Sequence, residues 1–368
     1  MKIKTLTTYN VYNYGASLQA YALMKYLQNK GHEVEIIDYQ PEYLRRKYDY
    51  KWVNPESKMS KYLLTRFVYR IMKYLQRQTT LKRKKAFDQF TDNLLKQTKV
   101  KYLNYSELKK NPPEADLYLV GSDQIWNVFY ETGRDDAFFL DFVKKGKKAS
   151  YAASFSYINI DDENKKRIKR LLEDFTAISV REYHGVDILQ EIGIESQWVL
   201  DPVFLLSKDE WRTFIPAYNK KEKYLLIYDF EGNKSLKKFA IDYAKEYGLK
   251  IYSINDTYPL LYADKNFNNA GPIEFLTMIY HCDAFISNSF HGTAFSIMFN
   301  KPVFVFNRHR HKVNSRMESL MTLFDLKQCI EPDCNNIRSI TDNFDFKKIN
   351  QILDAERNKS LNFINALL

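Results

Sequence analysis

Asp283-Ala284-Phe285-Ile286-Ser287-Asn288-Ser289-Phe290-His291-Gly292-Thr293-Ala294-Phe295-Ser296-Ile297-Met298-Phe299 is the stretch that decides the fold. The run Asp283–Ser287 reads as a buried strand, and Ala294–Phe299 reads as a helix. Lys301-Pro302 ends that helix, and Val303–Phe306 reads as the next strand. Strand, helix and strand in immediate succession make one turn of a parallel sheet wound by helices. His291 falls where the strand gives way to the helix. In α/β proteins that is where backbone N–H groups and the positive helix end face a ligand. A titratable ring beside such an anion site suits proton transfer to a phosphorylated or carboxylated substrate.

The same alternation extends outward to both ends. In the N-terminal half, Lys2–Thr7, Glu33–Tyr39, Leu117–Val120 and Lys148–Ala153 read as strands, and Ala16–Asn29 as a helix stopped by Gly31. Ala177–Val180 and Gln197–Leu200 bracket a further helix. Residues 201–222 read as a connector. A second set follows, with strands Tyr224–Tyr228 and Lys250–Ile254 and helices Ser235–Tyr247, Ile273–His281 and Ser315–Phe324. The expected organisation is a Rossmann-like domain over 1–200, a connector over 201–222 and a second Rossmann-like domain over 223–345. A helix over 346–368 is placed to cross back to the first domain. Two doubly wound α/β domains facing a cleft are similar in architecture to the GT-B glycosyltransferases, a likeness of fold and not of chemistry.

The chain has 368 residues, enough for two domains with separate cores. It holds 28 Tyr and 25 Phe, and tyrosine suits sugar surfaces. Its three cysteines, Cys282, Cys329 and Cys334, match no metal or disulfide pattern and fit a reducing compartment. The histidines His281, His291, His309 and His311 lack zinc spacing, and neither a P-loop nor a Gly-rich dinucleotide fingerprint occurs. The expectation is therefore no metal and no bound cofactor. The chain enters its first strand at Lys2, with no signal peptide, and no apolar run reaches spanning length. A cytoplasmic protein, soluble or peripheral at the inner face of the membrane, is expected.

The net charge of +11 is local. Between Glu42 and Lys85 stand 14 Lys and Arg against 3 Asp and Glu, a surplus equal to that of the whole chain. This segment belongs to an insertion over about 41–100 that interrupts the alternation in the first domain. Within it, 57–78 reads as an amphipathic helix. Leu63, Leu64, Phe67, Val68, Ile71, Met72 and Leu75 share one face, and Arg66, Arg70, Lys73 and Arg77 form a basic stripe. Such a helix can lie on an anionic membrane or pack on the protein with its basic face in water. No nucleic-acid recognition motif accompanies the charge.

Six segments together resemble the polysaccharide pyruvyl transferase family, in the family's order and over roughly residues 3 to 325. They are 7–23 (TTYNVYNYGASLQAYAL), 120–127 (VGSDQIWN), 151–155 (YAASF), 179–182 (SVRE), 200–203 (LDPV) and 287–292 (SNSFHG). The resemblance implies a GT-B-like fold and transfer of pyruvate from phosphoenolpyruvate to a saccharide. The implied product is a ketal on a surface-polysaccharide unit, of an exopolysaccharide or capsule, or on its lipid-linked precursor. Phosphoenolpyruvate is then a co-substrate and no cofactor is implied.

That chemistry needs an acid for the enol methylene, a base for the attacking hydroxyl, and cations for one phosphate and one carboxylate. The resemblance makes His291 the acid and Arg181 a phosphate ligand. Where some members carry an arginine, this chain has Ser289, beside Asn288 in the donor motif. Arg308, Arg310, Lys312 and Arg316 are the candidates to replace the missing cation. Asn13, Tyr14, Gly15 and Gln19 resemble an acceptor wall, though a structural turn is the other reading. Asp123 is the candidate base or a helix cap, Gln124 lies beside it, and Trp126 either stacks on a sugar or closes the core. Two rival readings stand. One is a GT-B glycosyltransferase using a nucleotide sugar, for which Glu318 is the nearest ribose-binding acid. The other is a non-catalytic, membrane-associated assembly protein.

Overall fold

Continuous apolar runs such as Leu117–Val120 and Tyr224–Tyr228 are buried along their whole length, as strands covered on both faces must be. In the computed structural model they are the inner strands of two parallel sheets. It describes residues 1–46, 52–53, 57–75, 77–217, 222–255, 259–308 and 314–368. The first sheet contains β1 (Lys2–Leu6), β2 (Glu33–Tyr39), β3 (Gln97–Tyr102), β4 (Leu117–Val120) and β5 (Lys147–Ser150) in the order β3-β2-β1-β4-β5. A short parallel pair, β6 (Ser179–Val180) and β7 (Gln197–Trp198), extends it through single bridges from Ala149 to Ala177 and Ala153 to Val180. The second sheet repeats the pattern as β10-β9-β8-β11-β12. Its strands are β8 (Tyr224–Tyr228), β9 (Lys250–Ser253), β10 (Lys265–Asn266), β11 (Ala284–Ser287) and β12 (Val303–Val305).

The strand order changes direction between β1 and β4 in one sheet and between β8 and β11 in the other. A doubly wound sheet opens its ligand crevice at that switch, beyond the carboxyl ends of the strands. Tyr14 ties the two halves together. It stacks on Phe275 at 4.5 Å and on Phe87 at 5.4 Å, and its hydroxyl donates to the Ala270 carbonyl at 3.1 Å. Trp211 wedges between Tyr21 and Phe295, one from each half.

Two helices reach across. Arg77–Leu94, from the insertion, brings Phe87 against Tyr14 and sets Ala86 against Gly271. Phe346–Leu367 returns to the first half, where Asn365 accepts from the Tyr26 hydroxyl at 2.8 Å and the Ser360 hydroxyl accepts from Leu200 N at 2.9 Å.

Three features differ from the sequence reading. The insertion is shorter, because its end is the edge strand β3; exposed Lys99, Val100 and Lys101 hide the strand's period, as charges on edge strands do. The amphipathic segment opens with a turn at Lys58–Ser60, is helical over Leu63–Leu75 and, past Gln76, which lies outside the described residues, is helical again over Arg77–Leu94. The helix after β11 starts at Phe290 rather than Ala294, because the Ser289 hydroxyl caps it by accepting from Gly292 N at 3.3 Å.

Trp126 belongs to this framework. It is fully buried, stacks on Phe139 at 5.5 Å and donates from Nε1 to the Phe138 carbonyl at 2.9 Å. Trp126→Ala is expected to lower stability by about 3–5 kcal/mol, read as a drop in the urea midpoint with little change in slope.

Candidate active site

Loops leave the carboxyl ends of β1 and β4 on one side and of β8 and β11 on the other, and they meet at His291. The ring lies so close to Gly15 that a Cβ there would come within 1.9 Å of Nδ1. Glycine at 15 is therefore the seat of a histidine carried by the opposite half. Gly292 sets the other side of the placement. Its missing Cβ would meet the Phe285 ring at 2.6 Å, so the helix sits directly on β11.

The other edge of His291 faces Asp201, with Nε2 3.3 Å from Oδ2. The same oxygen accepts from Arg181 Nη1 at 2.7 Å and from the Ser122 hydroxyl at 3.0 Å. Asp201 and Arg181 are both buried. Burial opposes the Asp201 charge, but His291 and then Arg181 outweigh it and hold the carboxyl well below the usual range. Glu182 takes no part in this pair. Its Oε1 accepts from Phe155 N at 2.7 Å and Ser156 N at 2.9 Å, which fixes the loop after β5.

Arg181 is only half used. Among the described residues, Nε and Nη2 are buried with no hydrogen-bond partner. Its guanidinium stands 4.4 Å from the Phe290 ring centre, and that of Arg316 stands 5.7 Å from the same centre. Arg316 is buried and, among the described residues, forms no salt bridge. Burial, then Arg181, pushes its pKa down to about 10. With the Gln124 amide turned to face it, Arg316 donates to Oε1 at 2.9 and 3.2 Å. Two guanidiniums on one aromatic ring, one of them with N–H groups unpartnered among the described residues, can take a multiply charged anion.

Asp123 stands on the first-domain side. It holds a left-handed φ of 77°, uncommon for a residue with a side chain, and its Oδ2 accepts from the Thr8 hydroxyl at 2.7 Å. Tyr12, Ala152 and Ser156, in neighbouring loops, also have positive φ. Asp123 and Gln124 border a cleft of about 220 Å³ with Thr8, Tyr43, Tyr130 and Glu131. Hydroxyls, an amide and carboxylates are the groups that bind a polyhydroxylated ligand.

The structure thus joins His291 to Arg181 through Asp201, sets Arg181 and Arg316 on Phe290 with Gln124 beside Arg316 and Asp123 next in the chain, and disperses other candidates. Asn13 caps the helix Tyr14–Asn29, accepting from Gly15 N and Ala16 N. Tyr14 and Trp126 are spent on packing, and neither offers a ring face to a sugar. Gln19 is buried and donates to Thr7 Oγ1 at 2.9 Å, bracing the loop after β1. Ser289 caps its helix, and Asn288 is held by Asp229 and Phe230 N. Arg308 pairs with Glu231 at 3.1 Å, and Glu318 is exposed. Arg310 and Lys312 lie outside the described residues. Asp201, Phe290 and the seating role of Gly15 were missed, although Asp201 lies in the 200–203 segment and Phe290 beside His291.

Two outcomes follow from this geometry. Gly15→Ala is expected to drive the imidazole off its seat and cut any His291-dependent activity by about a hundredfold, with circular dichroism unchanged. Asp201→Asn leaves Arg181 and His291 without their shared charge, and a loss of about 3–5 kcal/mol at neutral pH is expected. The Asp201 carboxyl is depressed in the native state, so its contribution is complete above the unfolded value of about 3.9 and fades as pH falls below it. Urea titrations from pH 7 down to about pH 3 should show this acid-side loss in the parent and a flatter profile in the asparagine variant.

Solved structures of similar fold are GT-B proteins. S. aureus MnaA in its UDP co-structure superposes with a TM-score of 0.50 at 15% identity, covering 96% of this chain and 90% of that one. Arabidopsis thaliana UGT89C1 complexed with UDP-L-rhamnose gives 0.50 at 8% identity, covering 98% and 94%. At these identities the likeness establishes the fold, two Rossmann-like domains facing a cleft, and nothing finer. No curated protein matches the chain in sequence. The family model described as polysaccharide pyruvyl transferase matches residues 13–310, which carry Gly15, Asp123, Arg181, Asp201 and His291, and the chain belongs to that family.

Proposed function

We propose that the protein transfers the pyruvyl group of phosphoenolpyruvate to two hydroxyls of a saccharide, forming a cyclic ketal and releasing phosphate. The observation that carries this reading is the pair of buried guanidiniums, Arg181 and Arg316, converging on Phe290 next to His291. Phosphoenolpyruvate brings a phosphate and a carboxylate on adjacent groups, and relieves the mutual repulsion of the two cations. Arg316 is the replacement for the cation absent at Ser289. Arg308, bound to Glu231, is the less available of the two.

In this reading His291, held against Asp201, gives a proton to the methylene carbon of the enol. The electron pair of the double bond forms the new C–H bond, and positive charge develops on the carbon that bears the phosphate. A sugar hydroxyl adds there as Asp123 accepts its proton. Phosphate then leaves with the C–O pair, and the second hydroxyl closes the ring and releases its proton. The cleft beside Asp123 and Gln124 is the acceptor side.

The test is phosphate release from phosphoenolpyruvate with a panel of saccharides, matched to a mass gain on the acceptor. His291→Gln is expected to slow turnover by about 10²–10⁴ with the fold intact. Arg316→Lys is expected to weaken use of phosphoenolpyruvate by about 10–100-fold, chiefly in KM. Full activity in either variant rejects that residue's role. Thermal stabilisation by nucleotide sugars but not by phosphoenolpyruvate would point to glycosyl transfer instead, and a protein inert to both would favour a non-catalytic assembly role.

A further inference from the structure

The helix Leu63–Leu75 turns its apolar residues outward. Leu63, Leu64, Phe67, Val68, Ile71 and Met72 are between 43% and 83% exposed. They recur at the spacing of a single helical face, so they form one stripe along a helix about 20 Å long. Its chain neighbours are the turn Lys58–Ser60 and the helical residues Arg77–Leu94, and its apolar stripe is left exposed. A contiguous apolar surface of this kind on a folded protein marks an interaction site.

The charge around the stripe selects the partner. Lys61, Arg66 and Arg70 are exposed beside it, and no Asp or Glu occurs between Glu56 and Asp88. A second copy of the chain, laid face to face, would oppose one basic segment to another with no acid in either to pair it. An anionic bilayer supplies an apolar interior for the stripe and phosphate charge for the rim. Among the described residues no helix is long and apolar enough to cross a membrane, so the helix lies in the interface plane.

We infer that the helix Leu63–Leu75 is an anionic-membrane docking element. The adjoining helix carries the contact to the active site. Arg83 donates to the Tyr12 carbonyl at 2.9 Å, and the Tyr12 hydroxyl donates to Asp88 at 3.0 Å. Tyr12 follows Val11, which lines the cleft beside Asp123. Docking therefore sets the acceptor cleft next to the lipid surface, where a lipid-linked saccharide presents its sugar. That last step rests on the transferase reading; membrane binding itself does not.

The full-length protein, without substrates, is sedimented with vesicles of phosphatidylcholine alone and of phosphatidylcholine with phosphatidylglycerol. Pelleting with the anionic vesicles, weakening as salt rises, is expected. Phe67→Glu with Met72→Glu should reduce the bound fraction about tenfold or more while the melting temperature stays unchanged, since both side chains are exposed. Absence of pelleting with anionic vesicles overturns the inference, as does equal pelleting of the double variant. A parent dimer in sedimentation velocity that the same two substitutions convert to a monomer also overturns it, by assigning the face to a second copy. Phosphate release with a water-soluble acceptor, measured in parallel, separates failure of docking from failure of the transferase reading.

Discussion

The Asp201 carboxylate is the point on which the site depends. One oxygen serves Arg181 from the first half, His291 from the second and Ser122 from the loop after β4. Asp201 itself stands at the start of the connector between the two halves. A buried carboxylate persists only while its partners are in place, so this charge specifies how the halves meet. Gly15 completes the specification from the opposite side by leaving room for the ring. The histidine of one half is thus complete only against the other.

Beside this satisfied cluster lies one that is not satisfied. Arg181 is held by one nitrogen and, among the described residues, keeps two others unpartnered in the interior. Burial, and then the charge of Arg181, lowers the pKa of Arg316. The fold supports that electrostatic stress through Asp201, Gln124 and the face of Phe290. Cations fixed before a ligand arrives cost no reorganisation when negative charge moves between them.

Leu117–Val120 and Tyr224–Tyr228, apolar throughout, could be read directly from the sequence, as could Glu33–Tyr39 behind the helix stop at Gly31, and all three have the expected bounds. β3 could not, because Lys99 and Lys101 on its exposed face erase the signal. At the site, His291 and Arg181 were legible because each ends or follows a strand in a recognisable segment. Asp201 was present in such a segment too, yet its partners lie 20 and 90 residues away, beyond what local spacing reveals. Tyr14 and Trp126 were ambiguous for a different reason. A large aromatic beside a loop reads alike as a sugar platform or as core, and only packing decides. Arg316 was one name among several basic residues until its burial distinguished it from Arg308.

The exchange of helices between the halves has a consequence for how the chain matures. The first half is covered by Phe346–Leu367, and the second receives Arg77–Leu94 from the insertion. During synthesis the first half emerges early, yet Tyr26, Tyr151 and Leu200 must wait for the 22-residue final helix to cover them. Meanwhile Arg77–Leu94 is ready before its docking surface beside Gly271 exists. Neither half covers its own surface alone, and the first gains its cover at Tyr26, Tyr151 and Leu200 only from residues 346–367.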